Sequence, residues 1–244
     1  MEIIKPLLIT LALGIAFIPL CFRSVKKFRG GLVWLAVSVA LFVVSIVIPF
    51  CFPVGKDLNS AFPLVPGLDE YIRLFPIHIA LAWASVISFV SSFVYAVLYL
   101  KKRTKRTDRT SYNSNLLGIV FCSLATIVGA VWAKHSWGEY WNWDPRQVSV
   151  VFMLFIYFAY FLLRSSVGKT TSTAKSLAAG YSIMAGIAMP VFMFILPRTV
   201  QGLHPTSGAS LLDSFPLLCS FSFSLFSVTT LLLALLNFLN IKKS

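Results

Sequence analysis

Seven apolar runs, none holding an Asp, Glu, Lys or Arg, divide this chain of 244 residues. They cover roughly Pro6–Phe22, Gly31–Phe52, Ile77–Leu100, Leu116–Ala133, Val148–Leu163, Leu177–Leu196 and Pro216–Leu239. Most approach the ~20 residues that a helix needs to cross a hydrocarbon core about 30 Å thick. Inside lipid the backbone must satisfy its own hydrogen bonds, and runs of this length do so as helices. With 58% hydrophobic and 12% charged residues, the chain carries more apolar surface than a water-soluble fold of this size can hide. The expectation is an all-α polytopic membrane protein of about seven spans.

The segments between the runs alternate in charge. One set holds Arg23, Lys26, Lys27 and Arg29, then Lys101, Lys102, Arg103, Lys105, Arg106 and Arg109, then Arg164, Lys169 and Lys175, and last Lys242 and Lys243, with Asp108 its only acid. The opposite set holds six basic residues and the other seven acids. Lys and Arg are retained on the cytoplasmic side, so the first set is expected there, the N-terminus outside and the C-terminus inside. The basic excess therefore reports membrane orientation and not a nucleic-acid partner. Its short connectors, Thr104–Asn115 and Ser165–Ser176, read as solvated or lipid-headgroup-facing. The first run is expected to be a retained span rather than a signal peptide, because Glu2 weakens a basic leader and the cations after Phe22 resist translocation. Residues 1–30, one span and its basic connector, then precede a six-span unit over 31–244.

On this orientation His78, His135 and His204, the only histidines, share the extracytoplasmic side. So does the segment Ser136 to Asp144, Ser-Trp-Gly-Glu-Tyr-Trp-Asn-Trp-Asp, read as part of an outer loop from Lys134 to Gln147. An interfacial belt spreads its aromatics over many helix ends. Here Trp137, Tyr140, Trp141 and Trp143 concentrate in one loop, while the other outer loops hold one tyrosine, Tyr71, and no tryptophan. Gly138 lets the backbone bend so that the rings share a surface. The pattern favours a platform for a large planar ligand. Asp144-Pro145-Arg146-Gln147 reads as a helix start: Asp at the cap, Pro in the first turn, Gln three residues after the cap. Arg146 adds a cation to an end that is already electropositive, which suits a docked anion.

His78 follows Pro76 by two residues, one turn into a span, and His204 lies in the last outer loop. Beside an aromatic platform the two form a candidate axial pair for an iron porphyrin. His135 is a third candidate ligand, or a partner for a propionate. Arg73, Lys134, Arg146 and Arg198 are the cations available for the carboxylates, with no choice among them on sequence. A zinc site calls for three or four closely spaced ligands with Cys or carboxylates among them, a pattern the chain does not show. Cys21, Cys51, Cys122 and Cys219 stand apart, without C-x-x-C or C-x-x-C-H, which speaks against covalently held haem and against a dithiol reductant. Cys51 and Cys219 fall near outer helix ends, but small apolar helix residues are the stronger reading than a disulfide. Ser85, Ser88, Ser91 and Ser92 read as a helix-packing face, and Pro190 as a kink.

The run Trp137-Gly138-Glu139-Tyr140-Trp141-Asn142-Trp143-Asp144-Pro145 resembles the W-G-x-x-W-x-W-D core of the haem-handling proteins of cytochrome c biogenesis, the CcmC/CcsA/CcmF group. Ile77-His78-Ile79-Ala80-Leu81-Ala82-Trp83 is similar to that group's first flanking-histidine region and Leu203-His204-Pro205 to its second, the likeness running from about Pro66 to Leu239. The resemblance implies haem b held at the outer membrane face. His78 and His204 would be axial ligands, with Trp137, Gly138, Tyr140, Trp141, Trp143 and Asp144 as the platform. It also implies transfer to a haem chaperone or to apocytochrome c, in a bacterial inner membrane or an equivalent energy-transducing membrane. CcsB-like or other Ccm membrane subunits are the implied partners. A compact core around one such loop is similar to CcmC, while Tyr140 and Asp144-Pro145 look more like CcsA.

The leading expectation is a haem carrier that presents its cargo for covalent attachment to apocytochrome c, its contribution being proximity and orientation. No catalytic residue is assigned to this chain alone, although it fits a subunit of a cytochrome c synthase. A secondary transporter of another substrate is the alternative; such proteins carry ionisable residues at the midplane, and none falls inside these runs. A purely structural subunit leaves the tryptophans unexplained.

Overall fold

The computed structural model describes residues 28–51, 54–55, 62–63, 69–167, 171–204 and 215–241. The run Pro6–Phe22, Cys21, and with them the proposed boundary at residue 30 and the placement of the N-terminus lie outside the described residues or at their edge. The helices are α1 (Phe28–Val47), α2 (Phe75–Lys102), α3 (Lys105–Trp137), α4 (Pro145–Ser166), α5 (Ser172–Pro190), the short α6 (Leu196–Thr199) and α7 (Phe215–Ile241). Short 3₁₀ turns at Ile48–Cys51 and Asp69–Leu74 flank a two-residue parallel pairing of β1 (Val54–Gly55) with β2 (Phe62–Pro63). Six helical segments among the described residues are long and apolar enough to cross a membrane. The protein is an all-α polytopic membrane protein.

Helices α2 and α3 form the central hairpin. Its turn is only two residues: Arg103 takes a left-handed conformation and donates its amide to Tyr99 O, and the Thr104 hydroxyl accepts from the Thr107 amide to start α3. Around this hairpin α7 packs on α2 and α1, while α5 packs on α2 and α4. One apolar cluster joins α2, α3 and α7 through Leu81, Phe121, Ala125 and Leu232. A second joins α2, α3, α4 and α5, with Phe89 stacked on Tyr157 at a centroid distance of 3.8 Å.

The hairpin corrects the reading of Thr104–Asn115 as a solvated connector. Those residues form the first three turns of α3, and Thr107, Asp108, Thr110, Ser111, Asn113, Ser114 and Asn115 are buried. Asp108 receives two hydrogen bonds of 2.7 Å from Arg164 of α4. Ser92 bonds to both Ser111 and Ser182, Ser91 to Ser114, and Asn115 to Ser182. The serines of α2 thus pack helices together, as expected, and tie them with hydrogen bonds as well. This seam and the Asp108–Arg164 pair lie at the ends of α3 and α4 opposite to the tryptophan-rich segment. Cys51, Cys122 and Cys219 are free thiols, so Cys51 and Cys219 form no disulfide.

Pro190 acts as expected, with a defined result. Lacking an amide it cannot close the normal helical bond. The chain widens into a π-helical turn, Val191–Ile195, before resuming as α6. Beyond Pro190 the segment packs chiefly on α4, whereas α5 packs on α2 below it. Space therefore opens between α2 and the π turn at the end of the bundle that carries the tryptophans.

Candidate functional site

That space is a cavity of about 620 Å³, lined among others by His78, Trp141, Arg146, Arg198 and His204. Its volume lies within the range of about 300–1,000 Å³ typical of sites for organic ligands. Elements from across the chain contribute: α2, α3, the loop before α4, α4 itself, the π turn, α6, the following bend and α7. Phe75, Ile79, Trp83, Phe192, Met193 and Phe221 make much of the wall apolar and aromatic.

The two histidines expected to act together do share this cavity. His78 Nδ1 lies 2.9 Å from the Ala125 carbonyl oxygen. A carbonyl only accepts, so Nδ1 carries the proton and Nε2 keeps its lone pair. His204 Nδ1 lies 2.8 Å from Asp144 Oδ1, which fixes the same tautomer. Both rings are thus oriented by a bond at one nitrogen and available as ligands at the other, the arrangement in which histidine binds metals.

Asp144 performs the capping role read from the sequence and a second one besides. It is 3% exposed. Its Oδ1 accepts from the Arg146 amide at 2.9 Å, and Gln147 completes the capping box. Its Oδ2 accepts from the Leu203 amide at 2.6 Å and from the His204 amide at 3.4 Å. One carboxylate therefore starts α4 and holds the His204 bend. Burial alone would push the Asp144 carboxyl up; the Arg146 amide, His204 and the Leu203 amide outweigh it and hold it below the usual carboxylate range. Burial holds His204 below the ordinary histidine value, with Arg146 acting in the same sense and Asp144 against.

The aromatic segment differs from the loop expected over Lys134–Gln147. Helix α3 continues through Trp137 and ends at Gly138, whose φ of 89° suits a left-handed cap. Trp137 meets the His204 ring edge to face at 4.7 Å, and Trp141 lines the cavity. Tyr140 and Trp143 are 58% and 77% exposed and do not line it. Of the four rings, two are therefore brought to the histidine pair and two face outward, with Trp143 edge-on to Trp141 at 6.0 Å. Trp143 also has a φ of 55°, uncommon for a bulky residue. The cause is local. Gln147 Oε1 accepts from the amides of both Asn142 and Asp144, the residues on either side, and its Nε2 donates to Tyr140 O.

His135 is not brought to the pair. It stacks on Tyr71 at 3.2 Å, binds the Val131 carbonyl of its own helix through Nδ1, and does not line the cavity. The four candidate cations separate as well. Lys134 donates to Gly138 O, and Arg73 pairs with Glu70 and lies over the Phe50 ring. Arg146 and Arg198 line the cavity, close enough to repel one another. Two cations lining one cavity favour an anionic ligand.

Sequence reasoning assigned no role to Gly202. A Cβ there would lie 2.5 Å from Asp144 Oδ2 and 2.9 Å from Pro145, so only glycine lets this bend reach the carboxylate. Its position two residues before His204 was the available signal. Trp132, buried at the foot of the motif, packs against Phe75 and His78 and also lines the cavity.

Comparison with known proteins places the chain in a family. The family model described as cytochrome C assembly protein matches residues 3–204. The cytochrome c biogenesis protein CcsA of Prochlorococcus marinus (strain MIT 9301) is 26% identical over 168 residues, 55% of this chain and 53% of its own length. The heme exporter protein C of Bradyrhizobium diazoefficiens is 28% identical over 182 residues, 69% of each chain. CcsA of Phaseolus vulgaris is 39% identical over 74 residues, 30% of this chain and 22% of its own length. The matched part covers between 22% and 69% of these relatives' own lengths.

Proposed function

This chain belongs to the cytochrome C assembly protein family, and on that premise we propose that it holds haem b in the cavity between α2 and the π turn and presents it for cytochrome c maturation. The observation that carries the reading is the convergence of His78 and His204 on one cavity, each with Nδ1 committed and Nε2 free. Haem is the cargo here. His78 and His204 supply its axial ligands, Arg146 and Arg198 receive the propionates, and Trp141 and the apolar wall accommodate the macrocycle.

The chain's own work is binding, orientation and exclusion of water. Asp144 keeps His204 in the ligating tautomer, and the Ala125 carbonyl does the same for His78. Tyr140 and Trp143, turned outward beside the cavity, give the receiving partner an aromatic surface. That partner is a haem chaperone or apocytochrome c, with a CcsB-like or other Ccm subunit completing the assembly. The setting is a bacterial inner membrane or an equivalent energy-transducing membrane, with the cavity on the extracytoplasmic side.

Absorption spectroscopy of the detergent-purified full-length chain tests the proposal. We expect a bis-histidine haem spectrum, weakened in His78→Ala and in His204→Ala and restored in each by added imidazole. Haem content and spectrum unchanged by both substitutions contradict it.

A further inference from the structure

The wall behind His78 is a turn of α3, and one residue there has no side chain. Gly129 lines the same cavity as His78. A Cβ built on Gly129 would lie 2.7 Å from His78 Cε1, 3.1 Å from Nδ1 and 3.6 Å from Nε2. Those three ring atoms are its nearest neighbours, so the imidazole lies directly over the glycine.

The position is linked to the hydrogen bond that sets the tautomer. Ala125 O, the acceptor for His78 Nδ1, is the carbonyl one helical turn before Gly129. In an α-helix that oxygen already accepts the amide of residue 129, and it has a second lone pair. Side chains lean toward the helix N-terminus, so a side chain on residue 129 would lie over the Ala125 carbonyl. Glycine leaves that lone pair open to an imidazole arriving from another helix. The ring's reach to the carbonyl and its closeness to the Gly129 backbone are one requirement seen twice.

We propose that Gly129 is a positioning residue for the haem ligand His78: its bare backbone forms the socket that lets the ring bind Ala125 O and aim Nε2 into the cavity. The inference rests on the haem-binding reading above and adds a residue to which neither the motif nor the family match assigns a role. Gly129 acts through His78. A Cβ displaces the ring, breaks the Nδ1 bond and takes Nε2 out of line with the iron.

Plain helix packing is the competing explanation, and a matched control separates the two. Gly186 of α5 also faces a ring on α2: a Cβ there would lie 2.7 Å from Phe93 Cδ2. Its clash is at least as deep, reaching Phe93 Cβ at 2.8 Å as well, but meets no cavity residue.

The test uses the purified full-length chain loaded with haem, comparing Gly129→Ala, Gly186→Ala, His78→Ala and the double variant Gly129→Ala/His78→Ala. We expect Gly129→Ala to lose the bis-histidine spectrum and to regain six-coordinate low-spin character with imidazole, as His78→Ala does. Gly186→Ala keeps the parental spectrum. In the double variant the clash partner is gone, so it retains as much haem as His78→Ala alone. A parental spectrum in Gly129→Ala overturns the proposal, and so does a double variant that retains clearly less haem than His78→Ala. If Gly129→Ala does not fold, the double variant still decides: its clash partner is gone, and haem retention clearly below that of His78→Ala shows that Gly129 is needed for contacts other than His78. Should His78→Ala itself leave the spectrum unchanged, the haem-site reading fails first, an outcome distinct from failure of the socket.

Discussion

Asp144 joins two distant parts of the chain through its two oxygens, so its replacement has two separable effects. Asp144→Asn keeps an N-cap but weakens the bond that orients His204. Asp144→Ala loses the cap as well, about 1 kcal/mol on the usual scale. We expect Asn to retain the fold and show a weakened, imidazole-responsive haem spectrum, with Ala also lowering thermal stability in detergent; equal haem spectra in Asn and the parent would argue against the orienting role. Gly202→Ala tests the same contact from the other side. Its Cβ meets Asp144 Oδ2 at 2.5 Å, so the bend must withdraw and carry His204 away. The expected result is reduced haem content with helical content unchanged by circular dichroism. The sequence placed Asp144 at a helix start from the Asp-Pro-x-Gln spacing alone, because capping is local chemistry. It gave no sign of the bonds to Leu203 and His204, which depend on a contact between residues sixty apart in the chain.

Among the helices, apolar runs located six spans, since the hydrocarbon requirement is written directly in composition. The ends were harder to place. Helix α3 runs for 33 residues, yet its apolar run covers only Leu116–Ala133. Its first turns are polar because they face neighbouring helices and not solvent, and hydropathy does not distinguish those cases. The last turn, with His135, Ser136 and Trp137, was hidden by the motif that follows. The pairing of Asp108 with Arg164 is the strongest consequence of the extension, with side-chain exposures of only 10% and 13%. Removing one partner leaves a buried charge unpaired, a cost of about 3–5 kcal/mol. Asp108→Ala is therefore expected to lower the thermal midpoint clearly, whereas Asp108→Asn/Arg164→Gln recovers part of the loss. A midpoint unchanged in Asp108→Ala would show that the pair is solvated and contributes little.

Taken as a whole, the bundle is asymmetric end to end. One end is bound together by serines, asparagines and an ion pair; the other is parted by Pro190 to make a cavity. Charge placement predicts which end faces which compartment. Single cysteines at Tyr140 and Lys105, in a background with the four native cysteines replaced, test this. A membrane-impermeant maleimide applied to intact cells is expected to label the first and not the second, and the reverse pattern would invert the orientation. The cavity joins residues that the sequence had marked, His78, Trp141, Arg146 and His204, with others it had not, such as Gly129 and Met193. Motif chemistry shows through because it needs particular residue types. Its supporting wall is made of ordinary apolar residues and glycines, whose role appears only once the helices are packed.

The proposed haem site stands on two imidazoles gripping one iron. Electron paramagnetic resonance of the ferric-haem-loaded full-length chain reads that coordination. A low-spin bis-imidazole signal is expected in the parent, converted to high-spin in the His78→Ala/His204→Ala double variant and recovered when imidazole is supplied. A high-spin parent, or a low-spin signal that survives loss of both histidines, would contradict it.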